Sequence, residues 1–165
     1  MQVILSITLY TIRNTQNIGD HMTIVGFSFT KMIVERKASV KGKINIANNI
    51  SIKEVKESQI ALGKGKETAI KLTFDFSSKY NPNVGIINLI GEVLNIEDEK
   101  KTKDILKEWK KSKKLPQEIM TPILNHILNK CNIQSLILSK DLNLPPPIPM
   151  PRINPTEGKE KQYIG

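Results

Sequence analysis

The sequence predicts an α+β fold in which an antiparallel meander sheet of about four strands is followed by two C-terminal helices and a proline-rich extended exit. Two observations lead to it. Four segments between Thr23 and Ile96 alternate apolar and polar residues with a period of two, as half-buried strands do. After Ile96 the apolar residues recur every three or four positions, which is typical of amphipathic helices. Strands that precede helices favour an antiparallel sheet covered on one face.

The four strand segments differ in how clearly they alternate. Phe27 and Phe29 mark the first, and the second begins near Val40 with lysines on its other face. Residues 70–76 form the clearest segment, because Ile, Leu and Phe alternate there with Lys, Thr and Asp. An Asn-Pro-Asn turn at residues 81–83 precedes the fourth segment, residues 84–96, which is apolar on both faces. A strand buried on both sides is therefore predicted there, at the centre of the sheet or at an interface.

Two helices are predicted after the strands. Acidic residues at 97–99 begin the first helix and lysines at 110–114 end it, in agreement with the helix macrodipole. The second helix is predicted from Gln117, or from Thr121 if Pro122 marks its start. It continues to Cys131 with residues 136–138 as a candidate extension. Three prolines at 145–147 predict that the helix stops before residue 142 and that an extended chain follows.

A single domain is expected from 165 residues, because a chain of this length can bury a core without disulfide or metal staples. We predict that this domain covers residues 22–153 and that residues 154–165 form a flexible tail. Residues 1–21 are predicted to be a leader or upstream extension, with Met22 as an alternative start. Their apolar stretch is too short to span a bilayer, so no membrane span is expected. Cys131 is the single cysteine, which favours a cytoplasmic location.

The sequence contains no recognisable catalytic or metal-binding motif, so we predict neither an enzyme nor a cofactor. The glycines and lysines of residues 63–68 have the wrong spacing for a phosphate loop and are better explained as a hairpin turn. His21 and His126 have no partner at metal-ligand spacing, so no metal site is expected. Cys131 closes the apolar stripe of the second helix and is predicted to be a small buried hydrophobe.

The chain is basic, with a formal net charge of +9 from 25 Lys and Arg against 16 Asp and Glu. Such a charge attracts nucleic acid or anionic surfaces, and the lysines of residues 100–114 are the candidate patch. Aromatic residues make up only 5% of the chain, and no RNA-recognition signature is present. Nucleic-acid binding is therefore expected to be non-specific. A basic nucleic-acid-associated adaptor is the alternative function.

The aliphatic content of residues 84–96, 119–131 and 142–153 exceeds what one four-stranded sheet readily covers. Two explanations remain open. Either all of this apolar surface lies in the core of one protomer, or the part that the protomer does not cover is buried in an oligomer or exposed as a groove.

The order of these elements over residues 27–150 resembles that of the SecB-like export chaperones. The resemblance is specific at the exit, where residues 142–146 read Leu-Asn-Leu-Pro-Pro. In that family the long helix is preceded by Pro, as Leu115-Pro116 precedes it here, and is followed by a segment reading roughly Phe-Pro-Pro-Leu-Asn-Leu-Ala-Pro. The chain differs in being basic, whereas the family is typically acidic, and in having a Pro-rich segment and a polar tail where the family has a lid helix.

The resemblance implies a homo-oligomer, a dimer of dimers, that binds unfolded or extended polypeptide clients in apolar surface grooves without ATP. A groove of this kind accepts many sequences because apolar burial is non-directional. Large apolar side chains near the helix-to-sheet junction are the expected lining of the groove: Phe74, Phe76, Trp109, Leu142 and Leu144. Three residues of the long helix are expected to form the oligomer contact: Ile123, Ile127 and Leu128.

Overall fold

The computed structural model describes residues 23–39, 42–62 and 65–151. These residues form strands and helices in the following order: β1 (Thr23–Arg36), β2 (Asn45–Leu62), β3 (Gly65–Asn81), β4 (Gly85–Ile96), α1 (Glu99–Ser112) and α2 (Gln117–Asp141). The predicted α+β fold, with four antiparallel strands before two helices, is confirmed. The predicted leader, residues 1–21, and the predicted tail, residues 154–165, lie outside the described residues.

The strands are ordered β1-β4-β3-β2 in the sheet. Strands β2, β3 and β4 form the predicted meander, and the β2–β3 pairing extends to Leu62 and Gly65, so these two strands form a hairpin. Strand β1 instead pairs with β4, at the far edge from β2. The chain therefore crosses from one edge of the sheet to the other between β1 and β2. The long edge strands contain register shifts, at which the pairing is locally irregular.

One face of the sheet carries the hydrophobic core. Every second residue of β3 from Ile70 to Tyr80 is buried, and so is every second residue of β4 from Gly85 to Asn95. Both helices pack against this face, because their buried side chains belong to the same apolar cluster. The helix residues in that cluster are Ile105, Trp109, Ile123, Ile127 and Cys131.

The other face of β4 is half-buried. Ile86, Ile90 and Leu94 alternate there with polar residues, and Glu92 pairs with Lys71 of β3 at 3.1 Å. The predicted central position of β4 is confirmed, but the prediction that both of its faces are buried is wrong for this face. The physical reason is that both described helices pack on the opposite face.

Helix α1 has the polarity that its charges predict. The side chain of Asp98 caps its N-terminus by accepting a hydrogen bond from the Lys101 amide at 2.8 Å. Lys110 and Lys111 lie in its last turn, near the negative end of the macrodipole. The amide of Lys113 closes the helix by donating to the Trp109 carbonyl.

Helix α2 begins at Gln117, so the alternative start at Thr121 is wrong. The amides of Ile119 and Met120 donate to the Pro116 carbonyl at 3.0 and 2.9 Å, which forms the first turn before Pro122 is reached. The helix ends at Asp141 and thus includes residues 136–138, as predicted. Its buried residues recur at every fourth position: Ile123, Ile127, Cys131, Ser135 and Ser139.

Candidate functional site

The chain reverses direction at the end of α2. Asn143 adopts a left-handed conformation, with φ of 51°, which Asn tolerates better than most residues. Its amide donates to the Lys140 carbonyl at 3.1 Å, and the Leu144 amide donates to the Ser139 carbonyl at 2.8 Å. This pair of hydrogen bonds is the Schellman arrangement that ends many helices. It directs Leu144 back toward the sheet, where this side chain is buried.

Gly85 makes room for Leu144 at the start of β4. A Cβ atom at Gly85 would lie 2.6 Å from the Glu35 carbonyl oxygen and 3.3 Å from Leu144 Cδ2. A larger residue would therefore clash with the backbone of β1 at Glu35 and press on the Leu144 side chain, so glycine lets both approach β4 here.

Residues 142–151 follow α2 without helical structure, and we refer to them as the exit strap. Among the described residues, three side chains donate to carbonyl groups of this strap. Tyr80 Oη donates to Pro145 O at 2.9 Å, Asn48 Nδ2 to Pro147 O at 2.9 Å, and Arg36 Nη1 to the Leu142 carbonyl at 3.3 Å. A run of prolines offers no backbone N–H, so its carbonyl groups accept hydrogen bonds from side chains or water. The strap is thereby fixed to β1, β2 and β3.

Tyr80 is a stable donor in this arrangement. Burial raises the pKa of its hydroxyl to about 12, against a smaller lowering by the Ser139 side chain. Burial has this effect because it disfavours the charged phenolate. The hydroxyl therefore keeps its proton, and its hydrogen bond to the strap, throughout the neutral pH range.

Two apolar clefts adjoin the exit strap in the described part of the chain. The first, which we name the helix cleft, has a volume of about 590 Å³ and lies between the strap and the end of α2. It is lined by Leu136, Ser139, Lys140, Asn143, Leu144 and the strap residues 145, 146 and 150. The second, the sheet cleft, has a volume of about 460 Å³ and is lined by Ile44, Ile46 and residues 145–150. Both clefts are open to solvent and combine apolar side chains with a few polar groups.

The residues predicted to line a groove lie in three different environments. Phe74 and Phe76 are fully buried, and Trp109, on the buried side of α1, is 6% exposed. Leu142 is half-buried at the start of the strap. Leu144 alone among them lines a cleft. In this conformation the two phenylalanines cannot contact a ligand, because the helices and their own neighbours enclose them.

The residues predicted to form the oligomer contact are also mostly inside the protomer. Ile123 and Ile127 have no exposed surface, and Leu128 is half-buried. The aliphatic side chains that α2 does expose are Ile133, at 63%, and Ile137, at 51%. Their spacing of four places them on one side of the helix.

Cys131 and His126 of α2 show no arrangement suited to chemistry. Burial raises the pKa of the Cys131 thiol to about 12, so this group remains protonated and unreactive at neutral pH. The His126 ring makes an edge contact with Phe27, with centroids 5.6 Å apart. In residues 23–39, 42–62 and 65–151, His, Cys, Asp and Glu side chains form no group of three or more that could hold a metal ion. Neither described helix combines the length and apolar character needed to cross a bilayer.

Sequence reasoning missed the polar residues that hold the strap. Arg36, Asn48 and Tyr80 come from three strands, and nothing in their local sequence marks them as partners of the exit. The one available signal was the run of prolines at 145–147, whose carbonyls need donors from elsewhere.

No protein-family model, curated protein or solved structure matches the chain. Its function is therefore argued from the strap, the two clefts and the exposed side chains.

Proposed function

We propose that this protein is an ATP-independent, holdase-type chaperone that binds extended, non-native polypeptides in the helix cleft and the sheet cleft. The observation that carries the proposal is the pair of open apolar clefts beside the exit strap. Non-native chains expose apolar side chains that folded proteins bury, and such clefts shield them from water. Because apolar burial is non-directional, one surface serves many clients. The resemblance of the Leu-Asn-Leu-Pro exit to SecB-like chaperones supports the same function.

The clefts are also suited to a peptide backbone. Lys140 and Asn143 lie in the lining of the helix cleft, where their side chains offer donors to client carbonyls. A few polar groups in an otherwise apolar cleft are typical of sites that hold a ligand without strict sequence selection. Binding of this kind requires no catalytic group and no nucleotide.

The proposal includes self-association, a dimer of dimers in the SecB-like arrangement. Ile133 and Ile137 on α2 are large apolar side chains exposed on the protomer. Exposed apolar groups of this size are stabilised when a second subunit covers them.

Sedimentation of the purified chain tests the self-association. We expect an oligomer at micromolar concentration, and a smaller species when Ile133 and Ile137 are both replaced by lysine, because each charge would have to be desolvated at the contact. The matched control replaces Gln117 and Thr121 with lysine, since these two exposed residues at the other end of α2 receive the same two charges at the same spacing. A parent protein that remains monomeric at these concentrations would contradict the self-association.

Aggregation of a chemically unfolded client protein tests the holdase function. We expect that the oligomer suppresses light scattering at substoichiometric amounts, without nucleotide. This suppression should persist when salt is raised from about 50 to about 200 mM, because apolar contacts are not screened by ions. Absence of suppression at an equimolar ratio would rule the proposed function out.

A basic nucleic-acid-associated adaptor is the second candidate function, and the exposed lysines of α1 favour it. Lys100, Lys107 and Lys110 are exposed on this helix. Lys103 pairs with Glu99 at 3.9 Å, but both side chains are about three-quarters exposed, so this ion pair is weak. Phosphate binding through such lysines should fall steeply over the same salt range. Binding to nucleic acid that is retained only at low salt, without any effect on client aggregation, would favour the adaptor.

A further inference from the structure

The exit strap is the wall between the two clefts. Pro145, Pro146 and Met150 belong to the lining of both, so the helix cleft and the sheet cleft lie on opposite sides of the same short segment. If this segment were lifted away, the clefts would join into one apolar channel. Leu136 of α2 would then line one side of the channel, and Ile44 and Ile46 would line the other.

The strap itself has the properties of an extended apolar ligand. Residues 144–150 read Leu-Pro-Pro-Pro-Ile-Pro-Met, a segment without charge whose prolines favour an extended backbone. Leu144 and Pro147 are buried, whereas Pro146, Pro149 and Met150 are exposed. Pro145 and Ile148 are half-buried, so the segment is anchored by two buried side chains with partly covered and exposed positions between and after them, much as a bound short peptide would be.

Few side-chain hydrogen bonds hold residues 145–150 in place. Between residues 145 and 150, the side-chain hydrogen bonds from the described residues are those of Tyr80 to Pro145 and Asn48 to Pro147. Each hydrogen bond of this type changes an equilibrium by roughly two- to tenfold. The Schellman turn at Asn143 provides a defined end from which the segment can pivot.

We propose that residues 145–150 are an intramolecular substitute for the client, which occupy the channel in the free protein and are displaced when an extended aliphatic polypeptide binds. The proposal rests on the holdase function proposed above. The strap then sets client affinity, because the apparent dissociation constant equals the intrinsic one divided by the fraction of molecules with the strap open. Weakening the contacts of the closed strap increases that fraction and strengthens client binding.

Two substitutions weaken the closed strap without adding a charge. Asn48→Ala and Tyr80→Phe each remove one donor, and each is expected to lower the dissociation constant for client by roughly two- to tenfold. The probe is a fluorescently labelled polypeptide that has been reduced and carboxymethylated to keep it unfolded, measured by fluorescence anisotropy with the full chain. Asn49→Ala is the matched control, since Asn49 is equally exposed but points to the other face of β2.

A distance measurement tests the displacement directly. Spin labels at Ala47→Cys and Pro149→Cys, both exposed positions, report the separation of the strap from β2, while buried Cys131 stays unlabelled. Adding the unfolded polypeptide should lengthen this separation. If parent and variants bind client with one affinity and the distance does not change, the strap proposal is overturned while the holdase function stands. If none of the proteins binds client, the holdase function fails and the strap proposal fails with it.

Discussion

Replacing Phe74 with alanine is expected to lower the free energy of unfolding by about 3–5 kcal/mol. The Phe74 side chain has no exposed surface, and its ring stacks on Phe27 with centroids 5.4 Å apart and meets the edge of Phe29 at 6.2 Å. Gly91 leaves space for the same ring, because a Cβ there would lie 2.5 Å from Phe74 Cζ. Alanine would leave a cavity in this cluster that the surrounding strands cannot fill.

Urea unfolding followed by the fluorescence of buried Trp109, the single tryptophan, measures this loss. Met32→Ala serves as the control, because Met32 is 46% exposed on β1 and its truncation should change stability by no more than about 0.5 kcal/mol. The measurement separates a core role of Phe74 from a role in client binding. If Phe74→Ala leaves the free energy of unfolding unchanged but weakens client binding, Phe74 lines a client groove and is not a core residue.

Replacing Leu136 with aspartate is expected to weaken client binding at least tenfold, which corresponds to about 1.4 kcal/mol. Leu136 is a half-buried residue of α2 that lines the helix cleft, and it remains part of the joined channel when the strap is displaced. A carboxylate at this position would lose hydration when an apolar client covers it, and no gain compensates for that loss. Because Leu136 is outside the apolar core cluster, the free energy of unfolding should fall by no more than about 1 kcal/mol.

Leu124→Asp is the matched control for the Leu136 variant. Leu124 is also a half-buried leucine of α2 outside the core cluster, and the lining of neither cleft includes it. Anisotropy with the labelled unfolded polypeptide gives the dissociation constants. Equal weakening by both substitutions would mean that the added charge acts through the overall electrostatics of the protein, and the clefts would lose their assigned role.

The fold could be predicted from the sequence because its elements have clear local patterns. Residues 70–76 alternate so strictly that one buried face is implied, and β3 shows that face. Opposite charges at the two ends of α1 likewise identify its direction. The position of β1 beside β4 could not be predicted this way, since their paired residues lie 49 to 73 positions apart and depend on contacts that no local pattern encodes.

The site was harder to predict because a pattern shows which residues share a face and not what covers that face. Phe74 and Phe76 were expected in a groove for their size, whereas α1 and α2 pack on their side of the sheet and enclose them. On α2 the apolar stripe continues through Ser135 and Ser139, which are small enough to lie against the sheet. Hydrophobicity alone does not identify such positions, so the outward direction of Ile133 was not anticipated.

The exit combines a predictable end with an unpredictable path. The three prolines at 145–147 indicate where α2 must stop, and the structure shows the helix ending at Asp141. The strap's attachment to Asn48 and Tyr80 depends instead on residues nearly 100 and 65 positions away. Tertiary contacts of this range are the part of the site that only coordinates reveal.

Site-specific photo-crosslinking tests the central claim, that client polypeptide occupies the clefts beside the exit strap. A benzophenone amino acid placed at Leu136, which lines the helix cleft from α2, is irradiated in the presence of the labelled unfolded polypeptide, with Leu124 as the comparison position. We expect a covalent adduct with the polypeptide from position 136 and little or none from position 124. Client that binds the protein but forms no adduct at position 136 would contradict this account of how the protein works.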